Sequence, residues 1–261
     1  MKRILLAFQF LTIIPVKDTG VVPEKEVGSA TSFFPLVGLV EGMILVVLAA
    51  IFLRAFPTEL TNGLLLLVMV ILNGCLHIDG LADTVDALAS RGDTERKLEI
   101  MKDSTVGPAG VTAIVMALLL KYLLLNALFF SSTLTAYYST VLLMPVLSRW
   151  IMVPVMFHGK SVRRDGLGKI FIDYTGGRTL LAATFLTLLI SFITFSYVSH
   201  YPLLVFHLMF IMPALYMFVF LAVWFFNKNF GGMTGDMLGA VYEVSIVLFL
   251  MMRVIWSQEL I

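Results

Sequence analysis

Residues 111–130 read VTAIVMALLLKYLLLNALFF and residues 134–157 read LTAYYSTVLLMPVLSRWIMVPVMF, with three residues between them. A hydrocarbon core about 30 Å thick asks for about 20 apolar residues of helix. Each run therefore spells a membrane-crossing helix, and the short connector makes the two a hairpin. Comparable stretches occur at Phe33–Leu53, Leu60–Leu76, Thr179–Val198, Pro202–Phe226 and Met237–Ile255. The second of the seven is short and the last is interrupted by Glu243. With 59% hydrophobic and 13% charged residues, the chain reads as an all-α polytopic integral membrane protein, one helical domain over 1–261 with about seven spans.

The start, Met1-Lys2-Arg3 and an apolar run to Val16, imitates a signal peptide, but Pro15-Val16-Lys17-Asp18 follows in place of a small-residue cleavage site. It reads as a retained N-terminal apolar segment, too short for a full crossing and placed as re-entrant or interfacial. Short connections at Arg54–Glu59, Ser131–Thr133 and Ser199–Tyr201 alternate with long polar loops at 77–110, 158–178 and 227–236. Alternation puts the long loops and the N-terminus on one face, which collects 14 of the 18 basic residues. By the positive-inside rule that face is cytoplasmic and the protein lies multi-pass in the cell's cytoplasmic (inner) membrane. A net charge of +1 excludes bulk attraction to nucleic acid. The lone Cys75 excludes an internal disulfide and a thiolate metal site, and reads as a small buried apolar residue.

Chemistry has to come from the long loops. The densest polar block is His77-Ile78-Asp79-Gly80-Leu81-Ala82-Asp83-Thr84-Val85-Asp86. In a helix, Asp79, Asp83 and Asp86 fall at i, i+4 and i+7, on one face. Like charges so close repel unless a cation joins them, and hard oxygen ligands favour Mg²⁺. A solvated acidic turn is the plain alternative. Met101-Lys102-Asp103-Ser104 and Gly107-Pro108-Ala109-Gly110 add a carboxylate, hydroxyls and a helix N-terminus of the kind that attracts phosphate. The third block, Gly231-Gly232-Met233-Thr234-Gly235-Asp236, suggests backbone packed against a ligand or another backbone, with a tight turn as the plain alternative, and Glu243, seven residues on, shares a helical face with Asp236. Within the spans, Arg149 is the candidate for binding phosphate oxygens in pairs. Lys121 reads equally as a snorkelling residue, and Lys160, Arg163, Arg164 and Lys169 read as lipid-headgroup contacts ahead of substrate contacts.

Taken together, the HxDGLADxxDAL block at 77–88, Met101-Lys102-Asp103-Ser104, Gly231-Gly232-Met233-Thr234-Gly235-Asp236-Met237-Leu238-Gly239-Ala240 and Phe34-Pro35-Leu36-Val37-Gly38 resemble the cobalamin synthase (adenosylcobinamide-GDP ribazoletransferase) family. Ile13 stands where that family often has an arginine. The resemblance implies a Mg²⁺-dependent transfer in which α-ribazole or its 5′-phosphate displaces GMP from adenosylcobinamide-GDP, on a chain in the lipid bilayer whose oligomeric state stays open. It implies Asp79, Asp83, Asp86 and Asp236 as metal ligands, with Asp103 and Asp236 as further metal or base candidates. His77 would orient a carboxylate or take the acceptor's proton. Lys102, Ser104, Arg149, Gly231, Gly232, Thr234 and Gly235 would hold substrate. The competing readings are a CDP-alcohol phosphotransferase-like enzyme, disfavoured because Asp83 follows Ala82 where that family has arginine, and a small-molecule transporter, suggested by intramembrane Glu41, Lys121 and Arg149.

Overall fold

The computed structural model describes residues 2–17, 20–103, 105–198 and 205–258. The short loop expected at Ser199–Tyr201 and the first residues of the span expected from Pro202 lie outside them. Twelve helices are described here: α1 Lys2–Leu11, α2 Glu24–Ala30, α3 Phe34–Phe52, α4 Thr58–Leu72, α5 Leu76–Ala89, α6 Thr94–Ile100, α7 Pro108–Ser131, α8 Leu134–His158, α9 Leu167–Tyr174, α10 Gly177–Val198, α11 Met212–Phe230 and α12 Gly235–Gln258. A 3₁₀ turn joins α2 to α3, and a π-helical turn at His207–Ile211 leads into α11. The only β pairing among the described residues is one bridge between Ser161 and Met233.

Six helical stretches are long and apolar enough to cross a membrane: α2–α3, α7, α8, α10, His207–Phe230 and α12. The crossing expected at Leu60–Leu76 is a bent pair instead, α4 and α5 meeting at 87°. α4 returns the chain to the N-terminal side, where the Ile13 amide donates to Leu72 O at 2.9 Å. The bend then turns α5 out of the span direction, across the helix ends.

α8 is the central pillar, buried over nearly its whole length. α3 packs on it through Gly38 and Gly42, where an added Cβ would reach Pro145 O at 2.5 Å and Leu142 O at 2.2 Å. In lipid no hydrophobic force drives helices together, so close backbone approach at small residues has to supply the packing. The outer helices expose apolar side chains instead, among them Leu119 and Leu123 on α7, Phe185 and Phe192 on α10, and Phe220 and Trp224 on α11. An apolar exterior of this extent requires lipid as its solvent. The N-terminal segment is the ten-residue helix α1, with Ala7 and Leu11 buried. Cys75 departs from expectation: it is exposed, with a left-handed φ of 60°, and forms the corner between α4 and α5.

Candidate functional site

The corner Asn73-Gly74-Cys75 decides where the acidic helix points. Gly74 and Cys75 both have positive φ, and Asn73 is clamped from the interior. Its Nδ2 donates to Glu41 Oε1 at 3.1 Å and to the Tyr242 hydroxyl at 3.3 Å, while its Oδ1 accepts from Arg149. Arg149 also donates Nε and Nη2 to Glu41 Oε2 at 3.1 and 2.6 Å, and Nη2 to Leu11 O at 3.3 Å. Arg149 is completely buried. This corrects its assignment to substrate phosphate: a carboxylate within the same membrane interior already takes the guanidinium fork. Lys121 does not snorkel either; it is buried and paired with Glu243, which removes Glu243 from the acidic site. Breaking a buried pair by deleting one partner costs about 3–5 kcal/mol.

α5 crosses the start of α12 with backbones touching. A Cβ on Gly80 would meet Asp236 O at 2.5 Å, and one on Gly239 would meet His77 O at 2.9 Å. The two glycines set Asp79 and Asp83, one turn apart on α5, beside Asp236 in the first turn of α12. Partial burial pushes the Asp83 carboxyl up to about 6, helped by the charges of Asp79, Asp236 and Asp86 and opposed by Arg163. His77 is buried, packs its ring 4.0 Å from that of Tyr242, and has no hydrogen-bond partner for Nε2 among the described residues. It does not orient a carboxylate in this arrangement.

Asp86 shares the face of α5, as its spacing predicts, but its carboxylate is engaged. Oδ2 accepts from the Gly107 amide at 2.7 Å and Oδ1 from the Gly110 amide at 2.8 Å. It caps α7 from outside. The phosphate-attracting N-terminus expected at Gly107–Gly110 is therefore taken by a protein carboxylate, and glycine is needed there because a Cβ at either position would lie within 2.5 Å of Asp86. Asp103 accepts from the amide and hydroxyl of Thr105 at 3.0 and 2.8 Å, bonds that hold its carboxyl below the usual range. It is exposed, as is Lys102, which has no ion pair among the described residues. Ser104 lies outside the described residues.

The glycine block turns α11 into α12. Gly231 ends α11 with φ 73° and open space where a Cβ would stand, whereas Gly232 packs against the backbone at Lys160 O. The Met233 amide donates to Lys160 O at 2.8 Å and the Val162 amide to Met233 O at 3.0 Å. Thr234 is buried, with its hydroxyl 3.3 Å from Asp236 Oδ2. Of Lys160, Arg163, Arg164 and Lys169, read from the sequence as lipid contacts first, the structure brings Arg163 and Lys169 to the site: Arg163 Nη2 donates to Asp236 Oδ2 at 2.8 Å and to Met101 O at 3.4 Å. All three long loops thus meet at one end of the bundle.

Between them lies a cavity of about 180 Å³ lined by His77, Asp79, Arg163, Asp165, Gly166, Lys169, Thr234, Gly235 and Asp236, with Phe10 and Met152 among its apolar walls. The volume is below the 300–1,000 Å³ typical of pockets that enclose whole ligands; it suits a diphosphate with the rest of a large substrate outside. No three His, Cys, Asp or Glu among the described residues converge closely enough to hold an ion alone. Mg²⁺ typically takes one or two carboxylates and completes its shell with water and substrate phosphate. Asp79 and Asp236, which both line the cavity, are a donor pair of that kind, with Asp83 one turn along α5 from Asp79.

Fold and site together define a polytopic membrane protein with an acidic, glycine-packed cavity at one end of its helix bundle. The chain belongs to the cobalamin-5-phosphate synthase family, whose description it matches over residues 3–254. It is 37% identical over 252 residues to the adenosylcobinamide-GDP ribazoletransferase of Geotalea daltonii, covering 94% of each chain. The proteins of the same name from Thermodesulfovibrio yellowstonii and Desulfitobacterium hafniense are 34% and 37% identical, with 96% of this chain aligned and 95% and 96% of theirs. No solved structure matches it.

Proposed function

We propose that this chain joins α-ribazole, or α-ribazole 5′-phosphate, to the corrinoid of adenosylcobinamide-GDP, releasing GMP and forming adenosylcobalamin or its 5′-phosphate. One observation carries the reading. Membership of the family over nearly the whole chain coincides with the meeting of α5 and the Gly231–Asp236 turn at one cavity, through the Gly80–Asp236 contact. In the transfer, the ribazole hydroxyl oxygen bonds to the corrinoid-linked phosphorus, the bond from that phosphorus to the bridging oxygen breaks, and GMP leaves with the electron pair. Such displacement needs charge neutralisation and in-line placement more than a protein nucleophile.

Asp79 and Asp236 would hold Mg²⁺, with the ionised form of Asp83 adding negative charge beside them; the ion would supply positive charge to the diphosphate oxygens. Asp79, exposed at the cavity, is placed to accept the hydroxyl proton. Thr234 steadies the Asp236 carboxylate from below. The bias of basic residues to this end of the bundle supports a cytoplasmic orientation in the inner membrane. The buried Lys121 and Arg149 are paired with Glu243 and Glu41, which weighs against a transport path through the middle.

The test is product formation by purified protein with adenosylcobinamide-GDP, α-ribazole or its 5′-phosphate, and Mg²⁺. Equimolar GMP and the joined corrinoid are expected, with loss on chelation and recovery on adding Mg²⁺. Absence of both products under all these conditions sinks the reading, and undiminished turnover in excess chelator sinks its metal.

A further inference from the structure

We infer that the segment Arg163–Lys169 is an anion cradle for the diphosphate of the nucleotide-linked donor, with Arg163 and Lys169 as its cations; the inference rests on the transferase reading above. The first support is the meeting of two helix starts. α9 begins at Leu167 and α12 at Gly235, and they touch so closely that a Cβ on Gly168 would lie 2.7 Å from the Gly235 Cα. Each helix start leaves amide donors without intrahelical partners and carries partial positive charge. Two such ends at one cavity present donors from both sides to an anion.

The second support is the side chains. Arg163 spends one Nη on Asp236, while its Nε is buried and without a partner among the described residues. Lys169 lines the same cavity and, among the described residues, is paired only with Asp173, one helical turn further along α9. Gly166, at φ +96°, has open space where a Cβ would stand, so the backbone between the two cations can approach a ligand directly. The same cavity carries the carboxylates of Asp79, Asp165 and Asp236, the last bonded to Arg163. Carboxylates standing beside amides and cations match a diphosphate that shares a divalent cation with the carboxylates. A phospholipid headgroup offers the same phosphate chemistry, so the experiment separates the two sources.

Full-length protein in nanodiscs of phosphatidylcholine alone is titrated with inorganic pyrophosphate in the presence of Mg²⁺. Wild type should bind. Arg163→Gln should weaken binding about tenfold or more and Lys169→Gln several-fold, since each loses a charge-assisted contact. Arg163→Lys should fall between, and Arg164→Gln, an exposed neighbour off the cavity, should match wild type. Melting temperatures report folding; if Arg163→Gln fails to fold, Lys169→Gln decides. Wild-type affinity in Lys169→Gln, or no pyrophosphate binding by wild type, overturns the cradle, as does a loss that occurs only when phosphatidylglycerol is included. If the corrinoid product forms yet the variants bind normally, the cradle alone fails. If the variants lose pyrophosphate but wild type makes no corrinoid product, the transferase reading alone fails.

Discussion

Adding one methyl group at Gly80 should inactivate the protein without unfolding it. The Cβ of Gly80→Ala would stand 2.5 Å from Asp236 O and 3.0 Å from its Cα, both backbone atoms that no rotamer change can move. Restoring ordinary van der Waals contact at 3.4 Å means parting α5 from α12 by about 0.9 Å at that point. Overpacking of this kind costs about 1–3 kcal/mol, which a bundle with several other helix contacts survives. Reacting groups, however, must be held within about 0.5 Å, and a 1 Å displacement costs about a hundredfold in rate. Asp79 and Asp83 ride on one helix and Asp236 on the other, so the whole displacement falls on their separation. The assay is turnover of adenosylcobinamide-GDP by detergent-purified variant, beside its melting temperature and gel-filtration profile. Gly63→Ala on α4, where a Cβ meets nothing within 4 Å, is the matched control and should keep full activity. Gly80→Ala turning over within threefold of wild type would show that the α5–α12 contact does not set the site.

Three further outcomes follow from the same geometry. Asp79→Asn and Asp236→Asn should lose a large factor in turnover with melting temperature little changed, whereas Asp86→Asn should lower the melting temperature as well. Its amide nitrogen would face a backbone N–H that Asp86 now accepts, at a cost of about 1–3 kcal/mol; equal behaviour of the three would refute the division. Because the Asp83 carboxyl is raised to about 6, Asp83 is neutral below that pH and charged above it. Binding of Mg²⁺ or Mn²⁺, followed by titration, should therefore strengthen as pH rises through about 6, and Asp83→Asn should flatten that step. The sign for the metal-free fold is opposite, since a carboxyl raised on folding contributes stability at low pH that is lost as pH climbs through 6. Single cysteines at Thr94, Arg164 and Lys228 in a Cys75→Ser background should all react with an impermeant thiol reagent from the cytoplasmic side, and one at Glu59 from the other; a split among the first three would break the shared face.

What the sequence made legible was periodicity and block identity. Apolar run length announced the spans, and the i, i+4, i+7 spacing placed Asp79, Asp83 and Asp86 on one helix face before any coordinates. What it hid was partner choice. An arginine at position 149 in a span is equally consistent with binding substrate and with neutralising Glu41, since the two residues are 108 positions apart and nothing local links them. The role of Asp86 is hidden for the same reason: a carboxylate used as a remote helix cap has the same spacing as one used as a ligand. Arg163 and Arg164 are neighbours of identical type, yet one enters the site and the other stays exposed; the sorting depends on the Met233–Lys160 and Val162–Met233 hydrogen bonds, a long-range pairing with no sequence period. Even the bend at Asn73–Cys75 lay inside what composition made a single apolar run.

That bend ties the acidic face of α5 to the membrane interior. Lipid contributes little net force between helices, so α5 cannot be oriented by burying an apolar stripe as it would be in water. Its angle is fixed by polar bonds that are strong because water is excluded from them: Asn73 held by Glu41, Arg149 and Tyr242, with the Lys121–Glu243 pair beside Tyr242 on α12. An unpaired charge at that depth is costly, so each member stays only while all are present. The clamp reaches α1, α3, α8 and α12, and three of these, α1, α8 and α12, also supply Phe10, Met152 and Asp236 to the cavity. A soluble substrate can therefore be handled by residues at the bundle's end while the rigidity of their arrangement comes from its low-dielectric middle. In that physical sense the membrane is part of the site's scaffold.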